Sequence, residues 1–123
     1  MSTAFVTGAT GFIGSALTRR LLNDGVKVRI LCRDPHKGEA LRQLGAEVIS
    51  GDVQLIDSLR RGAQGCEVIY SVAAALGGTG AAQYNVSVQG TRNLAQVAHE
   101  LGVSRSVHKQ HRRLWIVRHG RGR

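Results

Sequence analysis

The sequence predicts a three-layer α/β/α fold around a parallel sheet, and three observations lead there. Short runs rich in β-branched residues alternate with segments of helical periodicity through the first hundred residues. The segments follow one another with short connections, and strand, helix, strand in repetition calls for parallel strands with helices on both faces. The first strand also runs straight into a glycine-rich turn that opens a helix. Right-handed crossovers leave few ways to order such strands, and 3-2-1-4 is the order expected. The reversal between strands 1 and 4 then opens a crevice at their carboxyl ends.

Each element has its own signal. "AFVTG" (Ala4–Gly8) reads as a buried strand, and Gly11–Gly25 follows as a helix with Ile13, Leu17, Leu21 and Leu22 at helical spacing and Gly25 as its stop. Val26–Arg33 is the second strand, with Pro35 marking the turn after it, and His36–Gly45 is a short helix. Ala46–Asp52 is the third strand, Val53–Gly65 a helix closed by glycines, and Cys66–Ala74 the fourth strand. A glycine-rich loop leads to a long helix over Ala81–Gly102, which carries a glycine inside it, and Gly102–His108 approaches a fifth strand.

Charge divides the chain unevenly. Residues 1–100 hold ten Arg/Lys against eight Asp/Glu, whereas residues 101–123 hold seven Arg/Lys and no acid. Most of the net charge of +9 therefore sits at the carboxyl end. Such a field attracts polyanions or headgroups but does not specify a fold. The opening residues lack a secretion signal and no apolar run approaches the roughly twenty residues that span a bilayer, so a cytoplasmic protein without membrane association is expected. Cys32 and Cys66 are too few for a disulfide scaffold or a thiolate metal site and read as packed thiols. His108, His111 and His119 lack acidic or thiolate partners at metal-binding spacing, so no metal is expected.

The glycines carry the chemistry. "TGATGFIG" places Gly8, Gly11 and Gly14 three apart between a strand and a helix. Gly8 permits the tight turn, Gly11 lets the backbone approach a pyrophosphate, and Gly14 lets the helix pack on the sheet. Backbone amides across Thr10, Gly11, Phe12 and Ile13 then face phosphate oxygens at a helix N-terminus. Strand, glycines and helix together make this a dinucleotide-binding signature in a Rossmann-like fold.

With "GDV" (Gly51–Val53), "SVAA" (Ser71–Ala74) and "NVSVQGTRNL" (Asn85–Leu94) in the same order, the chain resembles the extended short-chain dehydrogenase/reductase family over residues 3–108. These are the NAD(P)-dependent epimerases, dehydratases and reductases. The resemblance implies that Asp52 bonds the adenine amino group with Val53 beside the ring, although Asp52 also reads as the N-cap of the following helix. It implies that Ala73 and Ala74 lie against the nicotinamide ribose, a role that core packing explains almost as well. Asn85 takes either a structural role near the active-site end or that of a solvated helix residue. Arg33 ends the second strand, where a carboxylate suits NAD and a cation suits the extra phosphate of NADP; NADP is expected, with Asp34 turned away to cap the next helix. Lys37 reads as a solvated helix lysine with a possible phosphate contact.

Two features depart from the family. Its members carry a Tyr-x-x-x-Lys pair whose lysine makes the tyrosine easier to ionise. Here Tyr70 and Tyr84 are the only tyrosines and neither has a lysine four residues on, so no catalytic pair is assigned. The second departure is "KQHRRLWIVRHGRGR". One choice of synonymous codons from Lys109, read from the second base, yields Ser-Ser-Thr-Ala-Ala-Tyr-Gly, the family's ending of its fifth strand. Residues 1–108 are thus expected to form a truncated cofactor domain and residues 109–123 a frame-shifted basic tail outside the family fold. Within that tail, "LWIV" (Leu114–Val117) reads as a strand or an exposed patch, and Trp115 between Arg113 and Arg118 as the stacking platform of a nucleic-acid arm. No specific nucleic-acid partner is expected, because positive charge alone gives non-specific attraction. The functional expectation is a cofactor-binding fragment of a hydride-transfer enzyme, inactive alone. A binding-only redox sensor and a nucleic-acid-associated protein binding through its basic tail are the alternatives, and an uncovered sheet edge offers a route to self-association.

Overall fold

The computed structural model describes residues 2–72, 81–110 and 113–119, with backbone alone at 81–88 and 110. In chain order the elements are β1 (Thr3–Thr7), α1 (Phe12–Asn23), β2 (Lys27–Cys32), a 3-10 turn (Pro35–Gly38), α2 (Glu39–Gln43), β3 (Glu47–Ser50), α3 (Ile56–Ala63), β4 (Val68–Val72), α4 (Ala81–Leu101), β5 (Arg105–Gln110) and β6 (Arg113–Arg118). Among the described residues the strands form one sheet in the order β3-β2-β1-β4-β5-β6. The expected order of the first four strands is the observed one. Strands β1 to β5 pair in parallel, with Val6 opposite both Ile30 and Tyr70, and β6 runs antiparallel to β5. The fold is a three-layer α/β/α Rossmann-like architecture with a mostly parallel sheet.

Both faces of β1 are dry. Phe5 and Val6 point to opposite sides and each is 0% exposed, which is why the strand shows no polar alternation. Phe5, Leu31 and Ile69 pack with Leu59 of α3 and Leu94 and Val97 of α4. On the other face Val6, Val28 and Ile30 pack with Leu41 of α2, while Leu21 and Leu22 of α1 close over them. Each of the larger side chains contributes about 1.5–3 kcal/mol by leaving water. Cys32 and Cys66 are free and buried, and burial pushes both thiols up, so they remain protonated and packed.

Two elements differ from expectation for local reasons. The helix expected over His36–Gly45 divides at Gly38 into the 3-10 turn and α2; Gly38 packs so closely on β2 that a Cβ there would meet the Cys32 Sγ at 2.9 Å. Asp34 does cap this turn, accepting from the His36 N–H at 3.0 Å. The helix expected from Val53 begins at Ile56, with Leu55 at its N-cap position and no side-chain cap. Asp52 is therefore not a helix N-cap: its Oδ1 accepts from the Gln54 N–H at 2.9 Å, closing a turn that keeps residues 52–55 out of the helix.

The basic segment joins the sheet. The boundary expected at residue 108 falls inside β5, and β6 places Trp115 opposite His108, the two rings stacked with centroids 5.2 Å apart. One face of the indole is thus occupied. The outer edges of the sheet are β3 and β6.

Candidate functional site

The site is built where β1 ends and α1 begins. Gly8 has φ of +80°, which an L side chain rarely adopts, and a Cβ there would stand 1.8 Å from the Val72 carbonyl oxygen. The turn closes with the Gly11 N–H donating to the Gly8 carbonyl at 3.2 Å. Gly14, one turn into α1, has no room for a side chain: a Cβ would lie 1.9 Å from the Gly8 carbonyl oxygen and 2.9 Å from the Ala9 Cα. The helix axis is consequently held against the turn by backbone-to-backbone contact. Thr18 reinforces it, its hydroxyl donating to the Gly14 carbonyl at 2.8 Å.

The first turn of α1 is left open to an anion. Gly11 occupies the N-cap position with ordinary extended dihedrals and offers no capping side chain, and no acid lies in the first turn. The amides of Phe12, Ile13 and Gly14 have no intrahelical acceptor, and the positive end of the helix dipole adds to their pull. Thr10, Phe12 and Ile13 are exposed, Phe12 by 93%. Among the described residues no side chain caps these amides. A group with paired phosphates fits this cradle.

Arg33 and Asp52 converge from the ends of β2 and β3. Arg33 Nη1 lies 4.0 Å from Asp52 Oδ2, with the arginine side chain 83% exposed and the aspartate 22%. At that distance and exposure the pair contributes less than about 1 kcal/mol, so the guanidinium is not locked away from a ligand. The segment carrying Asp52 is held more firmly. Ser58 Oγ accepts from the Asp52 N–H at 3.1 Å and donates toward the carbonyls of Asp52 and Leu55 at 2.9 and 2.7 Å. Gly51 makes room for it, since a Cβ there would meet Ser58 at 2.2 Å.

Two residues not singled out from the sequence position Val53. Gly90 of α4 faces its side chain, where a Cβ would stand 2.9 Å from Val53 Cγ2. Asn93, buried in the same helix, donates from Nδ2 to the Val53 carbonyl at 2.8 Å and accepts from Gln89 at 3.0 Å. The only signal for them was the glycine inside an otherwise regular helix. Asn85 also lies in α4, but its side chain is outside the described residues, as are Ala73 and Ala74. The structure brings Gly8, Thr10, Gly11, Phe12, Ile13 and Gly14 together at one strand end, and Arg33 with Asp52 and Val53 at its neighbours.

Comparison with known proteins gives the family. A family model described as NAD(P)H-binding matches residues 8–109. Sterol demethylase protein B of Methylococcus capsulatus is 40% identical over 109 residues, covering 86% of this chain and 33% of that protein. Ceramide reductase of Caulobacter vibrioides is 37% identical over 98 residues, covering 79% and 31%. The crystal structure of vestitone reductase from alfalfa (Medicago sativa) shares the fold with a TM-score of 0.72 at 22% identity, over 88% of this chain and 36% of that one. The chain thus spans about a third of the length of these relatives. Among the described residues no helix is long and apolar enough to cross a membrane. With the open helix end, the glycine contacts and the matched residues in agreement, the chain belongs to the NAD(P)H-binding family and carries a dinucleotide-binding, oxidoreductase-type fold.

Proposed function

We propose that this chain binds NADP(H), preferring it to NAD(H), and that it corresponds to the amino-terminal cofactor-binding portion of an extended reductase or epimerase. The observation that carries the reading is the backbone contact between Gly14 and Gly8, which holds an uncapped helix end where a pyrophosphate would sit. Amides of Phe12, Ile13 and Gly14 receive the phosphate oxygens. Asp52 Oδ2 is left for the adenine amino group, since Oδ1 is committed to Gln54. Val53, fixed by Asn93 and Gly90, packs beside the base. On the family resemblance Ala73 and Ala74 are assigned to the nicotinamide ribose and Asn85 to a structural role near the active-site end.

Arg33 supplies the preference for the extra phosphate. It is exposed and only loosely engaged, while its neighbour Asp34, which otherwise would repel that phosphate, is turned to the His36 N–H. A bound nicotinamide dinucleotide would supply hydride-transfer chemistry; the residues of this chain would hold it, and no tyrosine in the sequence is followed by lysine four residues on to move the accompanying proton. The chain therefore binds cofactor without appreciable turnover.

Calorimetric titration with NADPH and NADH tests the assignment. Loss of one charge-assisted phosphate contact is worth about 1.5–3 kcal/mol. Arg33→Ala is expected to weaken NADPH at least about tenfold and to leave NADH within about twofold. Equal weakening of both cofactors, or none, contradicts the role given to Arg33.

A further inference from the structure

We propose that Ser58 is a positioning residue for base recognition: from behind the turn at Asp52 it aims the carboxylate that selects a purine bearing an amino group over one bearing a carbonyl in its place. The proposal rests on the cofactor reading above, and it assigns to a buried hydroxyl the selectivity of the base-binding end.

Asp52 depends on its neighbours for its position, because it lies in neither β3, which ends at Ser50, nor α3, which begins at Ile56. Neither its N–H nor its carbonyl belongs to a strand ladder or a helix. Ser58, in the first turn of α3 and 2% exposed, meets both groups. Its Oγ accepts from the Asp52 N–H at 3.1 Å and lies 2.9 Å from the Asp52 carbonyl oxygen. Among the described residues that N–H has no other acceptor. The hydroxyl has little room to move: it is packed over Gly51 so closely that a Cβ there would meet the Ser58 Cβ at 2.2 Å. On the near side of the turn the Gly51 N–H donates to the Cys32 carbonyl at 3.0 Å, and on the far side the Leu55 N–H donates to the Asp52 carbonyl at 2.8 Å.

Holding both peptide groups of Asp52 sets the direction in which its side chain leaves the turn. Oδ1 then takes the Gln54 N–H at 2.9 Å, which orients the carboxylate and leaves Oδ2 free, 4.0 Å from Arg33 Nη1. An ionised carboxylate oxygen only accepts. It matches an exocyclic amino group and repels a carbonyl oxygen in the same place. Asn93 holds the next residue from α4, donating to the Val53 carbonyl at 2.8 Å. That contact fixes an apolar wall, and such a wall does not tell an amino group from a carbonyl. The two clamps therefore differ in what they govern: Ser58 the identity of the base, Asn93 the affinity for either base.

Calorimetric titration of the full chain with NADPH, and with its hypoxanthine analogue in which oxygen replaces the purine amino group, tests the proposal. The parent chain is expected to bind NADPH at least about tenfold tighter than the analogue. Ser58→Ala retains a good helix former in α3 and is expected to shrink that ratio to about twofold or less, mainly through lost NADPH affinity. Ser58→Cys keeps a weak donor and acceptor and is expected to give a ratio between those of the parent and the alanine variant. Asn93→Ala is expected to weaken both dinucleotides by the same factor. Where far-UV circular dichroism shows Ser58→Ala unfolded, the cysteine variant carries the test. A ratio equal to the parent's in a folded Ser58 variant overturns the proposal, as does an Asn93→Ala ratio as small as that of Ser58→Ala, since the turn would then act as one structural unit. A parent chain that binds both dinucleotides equally also overturns it. A folded parent that binds neither overturns the cofactor reading and this proposal together.

Discussion

Gly14→Ala is expected to weaken NADPH binding at least a hundredfold and to lower stability by about 3 kcal/mol. The dihedrals of Gly14 are ordinary for a helix, so alanine meets no backbone strain and gains helix propensity. The whole cost is steric. The added methyl would stand 1.9 Å from the Gly8 carbonyl oxygen and 2.9 Å from the Ala9 Cα. Those are main-chain atoms, so no rotamer change relieves the contact, and α1 must move off the turn, carrying the amides of Phe12 and Ile13 with it. Gly25→Ala is the control. Gly25 has φ of +85°, yet nothing lies within 4 Å of its missing Cβ, so alanine there meets only the left-handed backbone penalty of about 1–2 kcal/mol. Urea unfolding and calorimetry on both variants separate the two effects. If Gly25→Ala lost NADPH as fully as Gly14→Ala, the helix-to-turn contact would not be what shapes the site.

Stability is expected to fall as pH drops through about 6.5, by up to about 1.4 kcal/mol per pH unit for His108. His108 is 3% exposed, and its Nε2 shares the Ser106 hydroxyl with the Nε2 of His119, each at 2.8 Å. That hydroxyl has one proton, so it donates to one ring and accepts from the other. Charging both rings makes both Nε2 atoms donors at one oxygen and leaves His108 Nδ1 protonated, buried and with no hydrogen-bond partner. Burial holds both imidazoles below the usual histidine range, with His119 adding to the effect on His108 and His99 to that on His119. The unfolded chain takes up these protons first. The stabilisation is accordingly complete above about pH 6.5 and is lost progressively below it. Urea midpoints between pH 8 and 5 measure the slope, and His108→Gln is expected to flatten it. A midpoint that is constant over this range, or that rises on acidification, contradicts the arrangement.

The strand order was legible because both faces of β1 are covered, which leaves continuous apolar runs between helical patterns. The glycine turn was legible because its contacts are local: Gly8 and Gly14 meet within seven residues. What escaped depends on distance in sequence. Gly90 and Asn93 act on Val53, some 40 residues away, and only a glycine inside α4 hinted at them. The start of α3 moved to Ile56 because the Ser58 hydroxyl and the Asp52 carboxylate hold a turn that competes with the helix. The expected helix after Pro35 broke where Gly38 packs on Cys32, Ile30 and Val48. Residues 113–118, set apart by composition, pair with β5 through alternation that a count of arginines hides: Trp115 turns onto His108 while Leu114 and Ile116 face outward.

The most direct measurement is a titration of the isotope-labelled chain with NADPH, read residue by residue in amide spectra. The account predicts that the amides of Gly8, Gly11, Phe12, Ile13 and Gly14 shift together and saturate, with those around Asp52 and Val53, while Arg105 and Arg118 stay in place. A dispersed, folded spectrum in which the glycine-turn amides do not move at saturating NADPH and NADH would contradict it.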